Sequence, residues 1–191
     1  MNPVKIIKLI VFALAVLAGM AYPASKIIRF EFPGQPPAVY RFRTGIVDPF
    51  DPFRGRYVVL RPLPSEVQIP NKGFDPKYAV LGLDEKGLAT VTDLTEAPVK
   101  GRDCVRLESA YFQNWNKEKP SYGITLPFDR FYLNEELAPE AEKAFNEAIR
   151  KGDDVCVIKV NIYQNGDYAI EDLEIEGMPI HQYLKQSTRK E

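Results

Sequence analysis

Histidine occurs once in this chain, at His181, and cysteine twice, at Cys104 and Cys156. A single histidine near the C-terminal end excludes any Ser-His-Asp or Cys-His nucleophile arrangement not built on it, and any His-rich zinc site. Two separated cysteines are too few for a structural zinc. In an exported domain they could pair as a disulfide; each also lies beside a valine in strand-like sequence, where a buried free thiol is equally ordinary. Serine is missing between Thr44 and Tyr57, which removes the nucleophile that a Ser-Lys peptidase would carry just before the strand that follows. Neither charge sign is in excess, with 25 basic and 26 acidic residues and a net charge of −1. No acid precedes Glu31, so setting aside Lys5 and Lys8 leaves the rest more acidic still. Such a domain has no net attraction for nucleic acid. No internal repeat is visible.

What is present begins with an apolar N-terminus. Residues 6–22 are apolar or small except for Lys8, and residues 9–18 are an unbroken run of Leu, Ile, Val, Phe and Ala. At about 1.5 Å per residue this span approaches the thickness of a hydrocarbon core. Residues 1–24 therefore read as an N-terminal membrane anchor, or as a signal peptide, whose short basic n-region and apolar h-region fit as well. The early lysines favour a single-pass arrangement with the N-terminus cytoplasmic and everything after Tyr22 exported. Residues 25–184 are long enough for one domain, and 185–191 form a polar tail.

The 16 prolines and 12 glycines, spread along the chain, favour short strands and turns over long helices. Period-two alternation predicts strands at 25–32, 38–43, 57–61 and 103–112. Residues 85–87 read as a hairpin turn between strands at 77–84 and 88–94, and 114–121 as an exposed polar segment. Asn165-Gly166 predicts a type I′ hairpin between strands at 155–163 and 168–175. One amphipathic helix is predicted from Ala141, Ala144, Phe145, Ala148 and Ile149, with Pro139 in its first turn and Gly152 past its end. The class implied is α+β, mainly β: an N-terminal transmembrane helix followed by an antiparallel β-barrel-like or sandwich domain with one amphipathic helix.

The densest special chemistry lies at 48–61. Pro49 and Pro52 push Asp48 and Asp51 out of the helical region, and the Asp carboxylates can accept backbone N–H groups in turns. Gly55 is the natural pivot into the strand starting at Tyr57. Val58 and Leu60 then share one face, and Tyr57, Val59 and Arg61 the other. Arg54 and Arg56 could grip a carboxylate or phosphate bidentately, or pair with nearby acids. Asp48, Asp51, Asp129 and Glu135 could together form a two-carboxylate or hard-cation site, against the simpler reading that the first two hold turns and the last two cap or flank the helix. The aromatics Phe50, Phe53, Tyr57, Phe128, Phe131 and Tyr132 serve either as core or as an exposed patch for a partner.

Residues 54–62 resemble the signature of the GDYXXLXY family of membrane-anchored bacterial proteins, and 47–55 match the Asp-Pro run that typically precedes it. Arg56 stands where the family has Asp, and Pro62 where it has the final Tyr. The block Pro127, Phe128, Asp129, Arg130, Phe131, Tyr132 and onward through Glu135 also looks like a family segment. The resemblance covers nearly the whole chain. It implies a periplasmic or extracellular domain in the bacterial envelope, no established activity, and association with a multi-pass membrane protein; no cofactor is expected.

The expected function is a non-enzymatic assembly or binding module working with an integral membrane partner. The alternatives are a small-molecule or envelope-component binding domain and, third, a carboxylate-based hydrolase. The expected site comprises Asp48, Asp51, Arg54, Gly55, Arg56, Tyr57 and Leu60 from the first block, joined by Asp129, Arg130, Phe131, Tyr132 and Glu135 from the second. The two blocks are expected to lie against each other, with Asp129 or Glu135 meeting Arg54 or Arg56.

Overall fold

A computed structural model of the chain describes residues 3–32, 35–45, 57–70, 73–113, 120–134, 136–150, 152 and 155–187. Its contacts divide it into one unit ending at Pro36 and a second beginning at Pro37. The first unit is a helix, α1 (Pro3–Glu31). Within it Lys5–Ser25 has a mean hydropathy of 2.1 over 21 residues, with its side chains unburied. That length corresponds to about 32 Å, enough to cross a membrane. The strand expected at 25–32 is instead the end of this helix, and the Phe32 N–H still donates to the Ile28 carbonyl at 2.9 Å. An established helix gains one backbone bond per added residue, whereas a strand here finds no partner among the described strands.

The second unit opens with β1 (Ala38–Arg43), β2 (Tyr57–Val59), β3 (Glu66–Val67), β4 (Tyr78–Leu83) and β5 (Ala89–Thr95). It continues through β6 (Cys104–Arg106), β7 (Ser109–Gln113), β8 (Ser121–Thr125) and β9 (Arg130–Tyr132) to α2 (Ala138–Ile149). It ends with β10 (Cys156–Ile162), β11 (Tyr168–Ile175), β12 (Met178–Pro179) and α3 (Ile180–Ser187). The strands form sheets in the orders β1-β10-β11-β12, β5-β4-β6 and β3-β8-β7, with β2-β9 as a separate ribbon. All named pairs are antiparallel. None of these sheets closes on itself, so the arrangement is sandwich-like rather than a barrel.

Apolar alternation explains the main core. Phe42 from β1, Val91 and Leu94 from β5, Ile158 and Val160 from β10 and Leu173 from β11 are all buried within it. The predicted stripe on α2 buries Ala141, Phe145, Ala148 and Ile149 against the same core. Helix entry is built by Asn134, whose carbonyl accepts from the N–H groups of Leu137 and Ala138, each at 3.0 Å. Leu137 is the N-cap and makes no side-chain cap bond, so Asp129 does not cap this helix. A smaller cluster of Tyr78, Val80 and Cys104 covers the other face of β4. The two cysteines are both buried free thiols in different clusters, which decides against a disulfide.

Four other local expectations change. Residues 103–112 split into β6 and β7, because the Leu107 N–H bonds to Lys77 and the Glu108 N–H to Thr125, so the chain changes sheets between them. Ser121, at the end of the segment expected to be exposed, is buried and donates to Glu66 at 2.6 Å. At Asn165-Gly166 only the glycine has positive φ (+82°), and the Tyr163 carbonyl accepts from the Gly166 N–H at 2.9 Å. This is a three-residue turn ending in a left-handed glycine, repeated at Gly87 (φ +72°) between β4 and β5. The type I′ geometry falls instead at Glu176-Gly177, where both φ values are positive (53° and 76°) between β11 and β12. Finally, α3 takes in residues 185–187 of the expected tail. It docks through Ile180 and Leu184 on a single turn, too short to show a periodicity in sequence.

The β10–β11 tip also packs on the smaller cluster. A Cβ on Gly166 would stand 2.7 Å from the Tyr78 ring, whereas one on Gly177 meets nothing within 4 Å. Gly177→Ala should therefore cost about 1–2 kcal/mol for the left-handed backbone alone. Gly166→Ala should cost more, because Tyr78 must also move; urea unfolding of the detergent-solubilised chain compares them.

Tyr40 donates to the Asp103 carboxylate at 2.9 Å. Burial, and secondarily this bond, pushes its hydroxyl from the ordinary 10.0 up to about 12. The fold favours the neutral phenol, so the contribution is complete below pH 10.0 and fades as pH rises through about 12. Tyr40→Phe should flatten the alkaline fall in stability across that window, measured by urea midpoints at increasing pH.

Candidate binding site

The second half of the signature folds as β2, and the block at 127–133 supplies β9. The two pair directly, Tyr57 with Tyr132, Val58 with Phe131 and Val59 with Arg130. The Leu60 N–H extends the ribbon by donating to the Asp129 carbonyl at 2.7 Å. The two blocks thus lie together in their described portions, while the expected meeting of Asp129 or Glu135 with Arg54 or Arg56 falls outside the described residues. Asp48, Asp51, Arg54, Gly55, Arg56 and Glu135, with Phe50 and Phe53, lie outside the described residues.

Strand alternation gives the ribbon two different faces. Inward, Val58 (1% exposed), Leu60 (3%) and Phe131 (9%) join the main core, and α2 packs against β2. Phe128 is also core, 4.7 Å from the Phe42 ring and 5.6 Å from Tyr168. Outward, Tyr132 is 66% exposed and its ring centroid lies 5.6 Å from that of Tyr57. The Arg130 guanidinium sits 5.4 Å from the Tyr57 ring centre and 3.4 Å from the Asp129 carboxylate. A hydrogen bond to Tyr132, followed by the charge of Asp129, raises the Arg130 pKa above its ordinary value. The half-buried Tyr57 and the exposed Arg130 and Tyr132 thus form an aromatic–cation platform at the surface, backed by core residues. The expected aromatics divide accordingly, with Phe128 and Phe131 structural and Tyr132 at the surface.

Beyond β2 the chain reaches the end of β1, where Thr44 bridges Pro62. The bonds here run from Gly45 N–H to Arg61 and from Leu63 N–H to Arg43, both at 2.8 Å. Pro62 is thus at a position whose own N–H is not used, which is why proline is accommodated there. Beside it a groove of about 400 Å³ runs from Leu60 and Arg61 across to Tyr111 and Gln113 on β7, with Glu66 and Asp129 also lining it. Arg61, Glu66, Tyr111 and Gln113 were not among the sequence-predicted site residues. One sequence signal pointed to the place, since a glycine inside a strand, Gly123 on β8, marks a close approach. A Cβ there would stand 2.5 Å from both the Tyr111 ring and the Gln113 amide, so these two side chains lie across its backbone.

Among the described residues no group of three or more His, Cys, Asp and Glu side chains is placed to hold a metal ion. His181 is exposed on α3.

The fold and site define a protein with one N-terminal helix apolar and long enough to span a membrane, joined to a mainly β domain that displays the signature ribbon at its surface. The profile of the GDYXXLXY protein family matches residues 14–173, most of the chain, and the chain belongs to that family. Neither the comparison with curated proteins nor that with solved structures returns a match.

The two faces of the ribbon should respond differently to truncation. Phe131→Ala should cost about 3 kcal/mol or more, as for other buried aromatics. Tyr132→Ala should stay within about 1 kcal/mol. Denaturant unfolding of the two variants beside the parent chain checks this contrast.

Proposed function

We propose that this chain is a membrane-tethered, extracytoplasmic assembly module that binds an integral, multi-pass membrane protein through its signature ribbon. The observation that carries this reading is the surface Tyr57–Arg130–Tyr132 platform, with Arg130 and Tyr132 exposed, built by the pairing of the two signature blocks. Tyrosine and arginine dominate the energetics of protein interfaces because they bring large contact area with a polar handle, and little rotamer freedom is lost when they are already packed. Here Arg130 is pre-positioned by Asp129, Tyr57 and Tyr132 before any partner arrives. The tether favours association further, because a protein held on a membrane meets other membrane proteins at raised effective concentration. The described groove carboxylates hold other groups, Glu66 the Ser121 hydroxyl and Asp129 the Arg130 guanidinium, which favours binding over acid–base chemistry. The N-terminus lies in the cytoplasm and the β domain in the periplasm or outside the cell, following the early lysines.

Crosslinked pull-down from native membranes tests the interface. The parent chain should recover a multi-pass protein that Arg130→Ala and Tyr132→Ala each reduce roughly tenfold. Equal recovery by all three would remove the platform from the interface. In spheroplasts the β domain should be cut by added protease, and protection of the domain would reverse the orientation.

A further inference from the structure

We propose that the groove at the end of the signature strand binds a small zwitterion carrying a carboxylate and an ammonium group, the chemistry of a free amino acid or short peptide. This goes beyond the assembly reading, since it concerns a separate group of side chains and needs no protein partner.

The groove holds three hydrogen-bonding side chains without protein partners among the described residues: the Arg61 guanidinium, the Tyr111 hydroxyl and the Gln113 amide. Arg61 is exposed, and its stem runs beside Gly45, with Cδ 3.7 Å from where a Cβ on that glycine would be. Its planar fork matches a carboxylate with two parallel bonds. Tyr111, 58% exposed, and the half-buried Gln113 lie across the Gly123 backbone, so a hydroxyl and an amide stand side by side at the edge of the groove. The buried core residues Leu60, Ile124 and Leu126 also line it. At about 400 Å³ the space is within the range of ordinary small-molecule sites.

Charge decides the class of ligand. Of the two acids lining the groove, Asp129 is offset by Arg130 at 3.4 Å. Glu66 accepts from Ser121 through Oε1 and keeps its charge and its second oxygen. The groove therefore presents one uncompensated cation and one uncompensated anion. A ligand of single charge meets one of these as a like charge, and a phosphate dianion is penalised by Glu66. A zwitterion satisfies both.

The test uses the purified full chain in detergent micelles, with L-alanyl-L-alanine as probe and saturation-transfer NMR and calorimetry as readouts. The dipeptide should bind, and its N-acetyl and C-terminal amide derivatives should each bind roughly tenfold more weakly. Arg61→Gln should abolish the discrimination between acid and amide. Glu66→Gln keeps an acceptor for Ser121 and should abolish the discrimination between free and acetylated amine. Glycerophosphoethanolamine supplies the same pair of charges as a lipid headgroup does, and should bind more weakly than the dipeptide because a tetrahedral phosphodiester fits the planar fork less well. Equal binding of capped and uncapped dipeptide, tighter binding of the phosphodiester, or no binding at ~10 mM dipeptide would each overturn the proposal. Because no partner protein is present, a negative result leaves the assembly interface untouched.

Discussion

The antiparallel pairing of β2 with β9 is the constraint on which the rest of the signature region depends. It joins two blocks that are far apart in the chain, and the entropy of closing such a loop grows only slowly with its length. What stabilises the closure is burial. Val58, Leu60 and Phe131 turn into the core beneath α2, so the ribbon cannot slip by one residue without exposing all three. Everything on the outer face follows from that register. Tyr57 faces Tyr132, Arg130 is carried over the Tyr57 ring, and Asp129 is left beside both the guanidinium and the groove.

The remainder of the domain supports this ribbon without covalent help. Cys104 and Cys156 are free thiols, and the ion pairs Arg41–Glu174 and Lys159–Glu171 are partly solvated contacts of small individual value. Arg43 and Asp84 differ in being half-buried and in joining β1 to the turn after β4 at 2.5 Å. The Asp84 carboxyl is held below its usual range first by the Leu88 N–H and then by Arg43, so one side chain both closes a turn and links two sheets. Packing of the sheets around one main cluster, with a smaller one behind β4, provides the bulk of the cohesion.

Much of this architecture was legible in the residues. The apolar run, β1, the alternation across β2, the two glycine-closed hairpins and the stripe of α2 all rest on local periodicity or turn chemistry, and these survive into the fold. The errors share a cause. Residues 25–32 alternate like a strand but extend a helix, residues 103–112 look continuous but change partner sheet, and the type I′ turn lies at Glu176-Gly177 rather than Asn165-Gly166. In each case a local pattern was compatible with two conformations, and the availability of a backbone partner chose between them. The groove was less legible still, because no spacing in the sequence relates Arg61 to Tyr111 and Gln113.

The resemblance of the signature residues pointed to the family, and composition and pattern by themselves determined the apolar N-terminal span, the strand-rich class and the alternation that turns Tyr57 away from Val58 and Leu60. These depend on neighbours within a few positions, where the period of a helix or strand already decides which side chains share a face. Only the tertiary structure decided that Tyr132 and Arg130 complete the Tyr57 platform, that Asp129 lies at the groove rather than capping α2, and that Pro62 occupies a position where its missing N–H costs nothing. The physical reason is the same throughout: cross-strand register and sheet-to-sheet packing are long-range, so they are set by which faces the core can bury together and leave no trace in local spacing.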